Sequence, residues 1–314
     1  MRQAFIGSVL LLLSQGAAAQ TGPGPAPIID MHVHAYETDE RWKFHVPNPA
    51  TGMPLLETTE ADHMRATFAA WKRYNIVKAV VNNDSGGNLA VARRWQAAWP
   101  ERVIVGAGFD SASNAPDLAA LRAAVQRHEV GVLGEIGAQY EGLTLADPQF
   151  EPYLALAEEL GLPVGVHTGL GPSTAPYQGS QRFRTRFGNP QLIEDVLIRH
   201  PKLRLYLMHA GWPYLAETKA ILTVYPQVYA DLAVIDWIIP REEFHEYLRA
   251  LMRAGLGKRL MFGSDQMVWT DAIGRAIEGI ESADFLSPIQ KRDIFYNNAA
   301  RFLGIESSTD AKSK

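Results

Sequence analysis

His32 and His34 stand two residues apart at the end of an apolar run, 28–34. Alternate side chains of a strand share a face, so both imidazoles project to the same side. Such a pair is by itself as much core filler as chemistry. Here it has company. His167 closes the run 163–167, His209 closes 203–209, Asp265 closes 259–265, and Glu135 lies near the end of 132–136. Imidazole and carboxylate are donors for Zn, Mn, Ni, Co or Fe. The chain has no cysteine, so any metal must rest on His, Asp and Glu. Gathering these six ionisable groups on one rim without a cation would be costly in desolvation.

What would gather them is a repeating scaffold. Short apolar runs at 28–34, 77–82, 103–109, 132–136, 163–167, 203–209, 228–232 and 259–265 read as strands buried on both faces. Helical stretches lie between and after them, at 61–74, 89–98, 117–128, 150–160, 191–199, 214–224, 242–254 and 272–279. Gly161, Pro201 and Gly255 sit in stop positions. A further stretch, 288–303, reads as an extra C-terminal helix covering one end. Eight such repeats predict an α/β fold, a (β/α)8 TIM barrel over 28–305, with the strand-end residues on its C-terminal mouth. The rival, a doubly wound open sheet, would want a glycine-rich phosphate turn after the first strand, where this chain has His-Val-His. The connections 35–60 and 168–189 are long enough to be functional loops.

Bulk properties narrow the partners. With 47% hydrophobic and 20% charged residues the chain is globular in composition, and a net charge of −4 gives no sign of a nucleic-acid partner. Arg2, the apolar run 5–13 and Ala17-Ala18-Ala19 have the layout of a secretory signal peptide over 1–19, followed by a linker over 20–27. The run is too short to span a membrane. A periplasmic or secreted protein is therefore expected, free of the membrane after cleavage, with a polar tail at 306–314.

The motifs together resemble the amidohydrolase superfamily, and more closely its amidohydrolase-related (type 2) branch. The resemblance is carried by Ile29-Asp30-Met31-His32-Val33-His34, Gly134-Glu135-Ile136-Gly137, Leu162-Pro163-Val164-Gly165-Val166-His167-Thr168-Gly169 and Leu207-Met208-His209-Ala210-Gly211-Trp212-Pro213. Phe262-Gly263-Ser264-Asp265 and Asn297-Asn298-Ala299-Ala300-Arg301-Phe302-Leu303-Gly304 complete it, in order, over nearly the whole chain. The resemblance implies a first metal on His32, His34 and Asp265, with Glu135 where a carboxylate can bridge to a second metal on His167 and His209. With a single ion, His167 would join the first set and His209 would become an acid–base or electrophilic group. Zinc is the default expectation, as one ion or two.

The expected activity is hydrolysis of an amide, lactone or other ester bond of a small molecule. Asp265 would act as general base toward a metal-activated water, and His209 would polarise the carbonyl. Non-oxidative decarboxylation of an aromatic or enol carboxylic acid is the alternative, since the same branch resembles such enzymes. A TatD-type deoxyribonuclease is a lesser one, and a binding protein that has lost activity is disfavoured by the complete ligand set. Arg182 and Arg184, with Arg186, offer a carboxylate or phosphate contact or simply a solvated loop, while Tyr36, Trp42, Tyr177, Trp212 and Trp269 are candidate aromatic walls. Asp30 is a candidate partner for a ligand imidazole. His63, with His128, His200 and His245, is expected to do no catalytic work. Oligomeric state is open, with a homodimer common among such barrels.

Overall fold

A computed structural model of the chain describes residues 25–83 and 88–305. The expected signal peptide, most of the linker and the polar tail lie outside those residues. Eight strands alternate with helices: β1 (Ile28–Ala35), β2 (Ile76–Asn83), β3 (Val103–Gly106), β4 (Leu133–Ile136), β5 (Val164–His167), β6 (Leu205–Met208), β7 (Val228–Asp231) and β8 (Leu260–Met261). The helices are α1 (Glu40–Lys43), α2 (Glu60–Tyr74), α3 (Ala90–Ala98), α4 (Leu118–Gln126), α5 (Glu151–Leu160) and α6 (Glu194–Arg199). They continue with α7 (Leu215–Val224), α8 (Ile235–Ile238), α9 (Arg241–Arg253), α10 (Ala272–Glu281), α11 (Pro288–Arg292) and α12 (Asn298–Leu303).

Every strand pair is parallel, in the orders β1-β2-β3 and β4-β5-β6-β7-β8. Backbone bonds join the two groups at both seams. Ala107 N donates to Val132 O (2.9 Å) and Phe109 N to Glu135 O (3.1 Å) between β3 and β4. Met31 N donates to Phe262 O (2.9 Å) and Asp265 N to His32 O (2.7 Å) between β1 and the segment after β8. The fold is the expected barrel, with helices outside covering the strands' outer faces.

Local sequence explains the helix ends. Thr59 caps α2 by accepting from Asp62 N, and Asn75 ends it in the left-handed conformation at φ 54°. His63, Thr67 and Trp71, four residues apart, form its buried face. Gly161 at φ 62° closes α5, where only glycine is unstrained.

Two expectations need correction. The helix expected over 288–303 is broken by a π-helical turn at Asp293–Asn297. That wider turn lets Ile294 O accept from Phe262 N (2.9 Å), which ties the element to the barrel. The last strand stops at Met261, because Ser264 N turns to the Asp30 carboxylate (2.8 Å) and Asp265 adopts φ 42°. Inside the barrel, Ile29, Met31, Val80, Val132, Tyr206, Met208 and Met261 pack with Phe302 of α12, which closes the N-terminal end.

Candidate metal centre

At the opposite end the same strands carry polar groups. His32 Nε2 and His34 Nε2 lie 3.1 Å apart, and Glu135 Oε2 is 3.2 Å from each. Asp265 Oδ1 stands 3.3 Å from His34 Nε2 and 3.9 Å from His32 Nε2. The other Glu135 oxygen, Oε1, meets His167 Nδ1 at 2.5 Å and His209 Nε2 at 3.7 Å, and those two nitrogens are 3.2 Å apart. One carboxylate thus presents a separate oxygen to each of two histidine pairs.

The donor spacing fits a cation. Ligands held about 2.0–2.1 Å from a tetrahedral ion stand roughly 3.3 Å from one another, close to the edges of the first set. Asp265 Oδ1 and His167 Nε2 are buried with no hydrogen-bond partner among the described residues. Protein charges alone leave the set strained between protonation states. Burial opposes a charge on His32, yet Asp265 and Glu135 outweigh it and hold the imidazole well above its usual range. Burial likewise resists ionisation of Glu135, but the surrounding imidazoles, His32 foremost, pull it well below the usual carboxylate value. His167 is pushed down by burial, while Glu135 and Asp265 raise His209 against burial. Such a donor set is built for positive charge.

The supporting residues fix these rings. His209 Nδ1 faces Ala233 O at 3.1 Å, which makes that nitrogen the donor and turns Nε2 toward Glu135 and His167. Asp231, at the end of β7, accepts from His209 N (2.8 Å) and Ala233 N (3.1 Å) and faces His32 Nδ1 at 3.4 Å. Asp30 does something other than expected. An extra residue in β1, where Asp30 pairs with Ala79 but Val33 with Val81, breaks the period of two. Its carboxylate therefore leaves the imidazoles and accepts from His32 N (3.1 Å) and Ser264 N, with burial raising its pKa to about 7.

Above the centre opens a cleft of about 410 Å³. Tyr36, Arg41, Asp110, Tyr140, Glu141 and Met267 line it together with His34, Glu135, His167, His209 and Asp265. Arg41 is the only arginine or lysine lining it among the described residues. It is clamped by Asp39 (Nε to Oδ1 2.8 Å, Nη2 to Oδ2 2.7 Å) and flanked by the Tyr36 and Trp269 rings.

Of the loop residues singled out from sequence, Tyr36 lines the cleft, but Arg182, Arg184, Tyr177 and Trp212 do not. Arg182 is exposed and pairs with Glu141 at 3.4 Å. Arg184 Nη1 is turned back to Gln181 O (2.9 Å) and Phe183 O (2.7 Å) of its own loop. Tyr177 is 85% exposed, and Trp212 Nε1 donates to Glu243 on the outer side (3.1 Å). Arg41 lies in the long loop after β1, which strand periodicity cannot place, and Tyr140 in the short turn Ala138–Glu141 after β4, with no periodic signal of its own. Asp231 had a signal, an acid at the end of an apolar strand.

A family model described as amidohydrolase matches residues 29–305. Protein fluG of Emericella nidulans is 27% identical over 103 residues, which is 33% of this chain and 11% of that protein's length. Among solved structures, an uncharacterised TIM-barrel protein from Bordetella bronchiseptica has a TM-score of 0.64 at 17% identity, with 89% of this chain and 99% of that one covered. A probable 2-pyrone-4,6-dicarboxylic acid hydrolase from Acinetobacter baumannii, with citric acid bound, has 0.62 at 15% over 89% and 100% of the two chains. The 2,6-dihydroxybenzoate decarboxylase from Rhizobium has 0.58 at 15% over 90% and 99%. At these identities the structural likeness is one of fold.

Proposed function

Because this chain belongs to the amidohydrolase family, whose members are hydrolases or decarboxylases, we propose that it hydrolyses an amide, lactone or other ester bond of a small molecule with divalent metal. The observation that carries this reading is the split of Glu135, with Oε2 toward His32 and His34 and Oε1 toward His167 and His209. Two cations sharing one carboxylate suit attack by water on a carbonyl better than decarboxylation does. Zinc is the first ion to try.

His32, His34, Glu135 and Asp265 would hold one ion, and Glu135, His167 and His209 the other. A divalent metal held there would supply Lewis-acid chemistry, which brings the pKa of water down to about 7. Asp265 would take the proton of the attacking water on a carboxylate oxygen and return it to the leaving group. His209 Nε2, held by the Nδ1 contact to Ala233 O, faces the carbonyl oxygen when it does not serve as a ligand. Tyr36 and Tyr140 wall the cleft against water, and Arg41, fixed by Asp39, orients an oxygen-bearing group of the substrate.

The test pairs a neutral lactone, dihydrocoumarin, with 2,6-dihydroxybenzoate, the substrate named for one relative. Lactone opening that vanishes with chelator and returns with zinc, without release of carbon dioxide from the acid, is expected. Carbon dioxide release with no lactone opening would replace hydrolysis by decarboxylation.

A further inference from the structure

We propose that Gln266 is a positioning residue of the metal centre: its side-chain amide replaces a strand peptide where the β8–β1 seam runs out, and so holds His34 against Asp265. This rests on the metal reading above.

The seam is short of backbone. β8 ends at Met261, and beyond it the chain gives β1 two further bonds, Met31 N to Phe262 O and Asp265 N to His32 O. Asp265 at φ 42° and Met267 at φ 49° then carry the chain away, a conformation that turns the Asp265 carboxylate into the barrel mouth. His34 would be left with its seam-side N–H and C=O unmatched. Gln266 supplies both partners. Its Oε1 accepts from His34 N (3.1 Å) and its Nε2 donates to His34 O (2.9 Å), the two bonds that successive peptides of a neighbouring strand would otherwise make. The other amide proton faces His63 Nε2 at 3.4 Å. His63 is buried among the Tyr36, Trp42 and Trp95 rings, and that burial lowers its pKa to about 3, so the imidazole is neutral and can accept. All three functions of the amide are used, and the orientation of its oxygen follows from the two His34 bonds.

The β2–β3 pair, within the first sheet, uses the same device. Asn83 at the end of β2 accepts from Gly108 N (2.7 Å) and donates to Gly108 O (3.3 Å), beyond the last residue of β3. Gln266 differs in its target, since the residue it clamps is a proposed ligand and the residue before it is another. His34 Nε2 and Asp265 Oδ1, 3.3 Å apart, owe their separation to this one amide more than to the ladder.

The experiment measures zinc affinity of the purified chain by competition with a chromophoric chelator, alongside thermal unfolding of the metal-free protein. Gln266→Met keeps the volume and removes both bonds; Gln266→Glu keeps the acceptor and loses the donor. Asn298→Ala is the control, because Asn298 ties the far end of β8 through Gly257 O and Leu260 O. Partners behind metal ligands typically hold about 10–100-fold in affinity, so both Gln266 variants should weaken zinc binding by that factor. Asn298→Ala should lower the unfolding temperature and leave zinc affinity within about twofold, as expected for distant sites. Wild-type zinc affinity in a Gln266 variant that has lost only stability would overturn the proposal. A wild-type chain that binds no zinc, manganese or other divalent ion would instead remove the metal reading, and this inference with it.

Discussion

The two halves of the barrel interior obey different rules. Toward the N-terminal end, Ile29, Met31, Val80, Val132, Tyr206, Met208 and Met261 meet Phe302 in an apolar cluster. Toward the C-terminal mouth, the same strands carry His32, His34, Glu135, His167, Asp231 and, just beyond, His209 and Asp265. The mouth also carries several residues in strained backbone. His209, Ala210, Val234, Asp265 and Met267, all after β6, β7 or β8, have positive φ without being glycine. Val234 is the most telling, since a β-branched residue at φ 61° is a genuine outlier. Such residues persist where surrounding structure over-determines them, at about 1–3 kcal/mol each. One half supplies stability and the other consumes it, so mutations at the two ends should fail in different assays.

The largest separation is expected from Asp265→Asn. Removing a general base costs about 10²–10⁴-fold, and turnover of the lactone should fall by roughly 10³-fold while the circular dichroism spectrum is unchanged. Retained turnover would dissolve the distinction between the ends. Phe302→Ala should do the reverse, lowering unfolding free energy in urea by about 3–5 kcal/mol, with metal content per folded chain intact. Loss of metal in that variant would mean the halves are coupled.

A subtler case lies behind the mouth. Both carboxylate oxygens of Asp236 in α8 are buried with no hydrogen-bond partner among the described residues. Burial, with Asp30 and Asp231 nearby, raises its pKa well above 3.8. The unfolded chain releases that proton near pH 4 and the folded chain keeps it, so this group lowers stability progressively as pH rises past its unfolded value. Asp236→Asn should therefore favour the folded state more at pH 7 than at pH 3.5, as urea unfolding at the two pH values would show. A gain independent of pH would argue against a buried proton.

The smallest effects distinguish two arginines. Arg41→Ala should raise KM about tenfold, the worth of one oriented charged hydrogen bond. Arg182→Ala, on an exposed pair, should change KM less than about twofold. Equal effects would return the substrate loop to the assignment made from sequence.

The contrast between the ends also explains what could be read without coordinates. His32, His34, Glu135, His167, His209 and Asp265 were legible because each closes an apolar run, and a strand end in a barrel has only one place to go. Asp30 was misplaced by a single extra residue in β1, which flips faces and leaves no mark in composition. Gln266 was invisible because its partner, His34, lies 232 positions away and the need for it arises only when β8 stops short. Arg41 depends on Asp39 and two rings to hold its pose in a long loop, a tertiary arrangement with no periodic signature. The unbroken helix expected over 288–303 failed for a related reason: the π turn is set by what Phe262 N needs.

A centre in which Glu135 serves two cations makes a stoichiometric demand that mass spectrometry of the purified protein, before any chelation, can meet directly. Near two equivalents of divalent metal per chain are expected, falling toward one in Glu135→Gln as the shared carboxylate is lost. A wild-type chain that saturates at one equivalent under excess zinc or manganese, or stays empty, would contradict the shared-carboxylate centre.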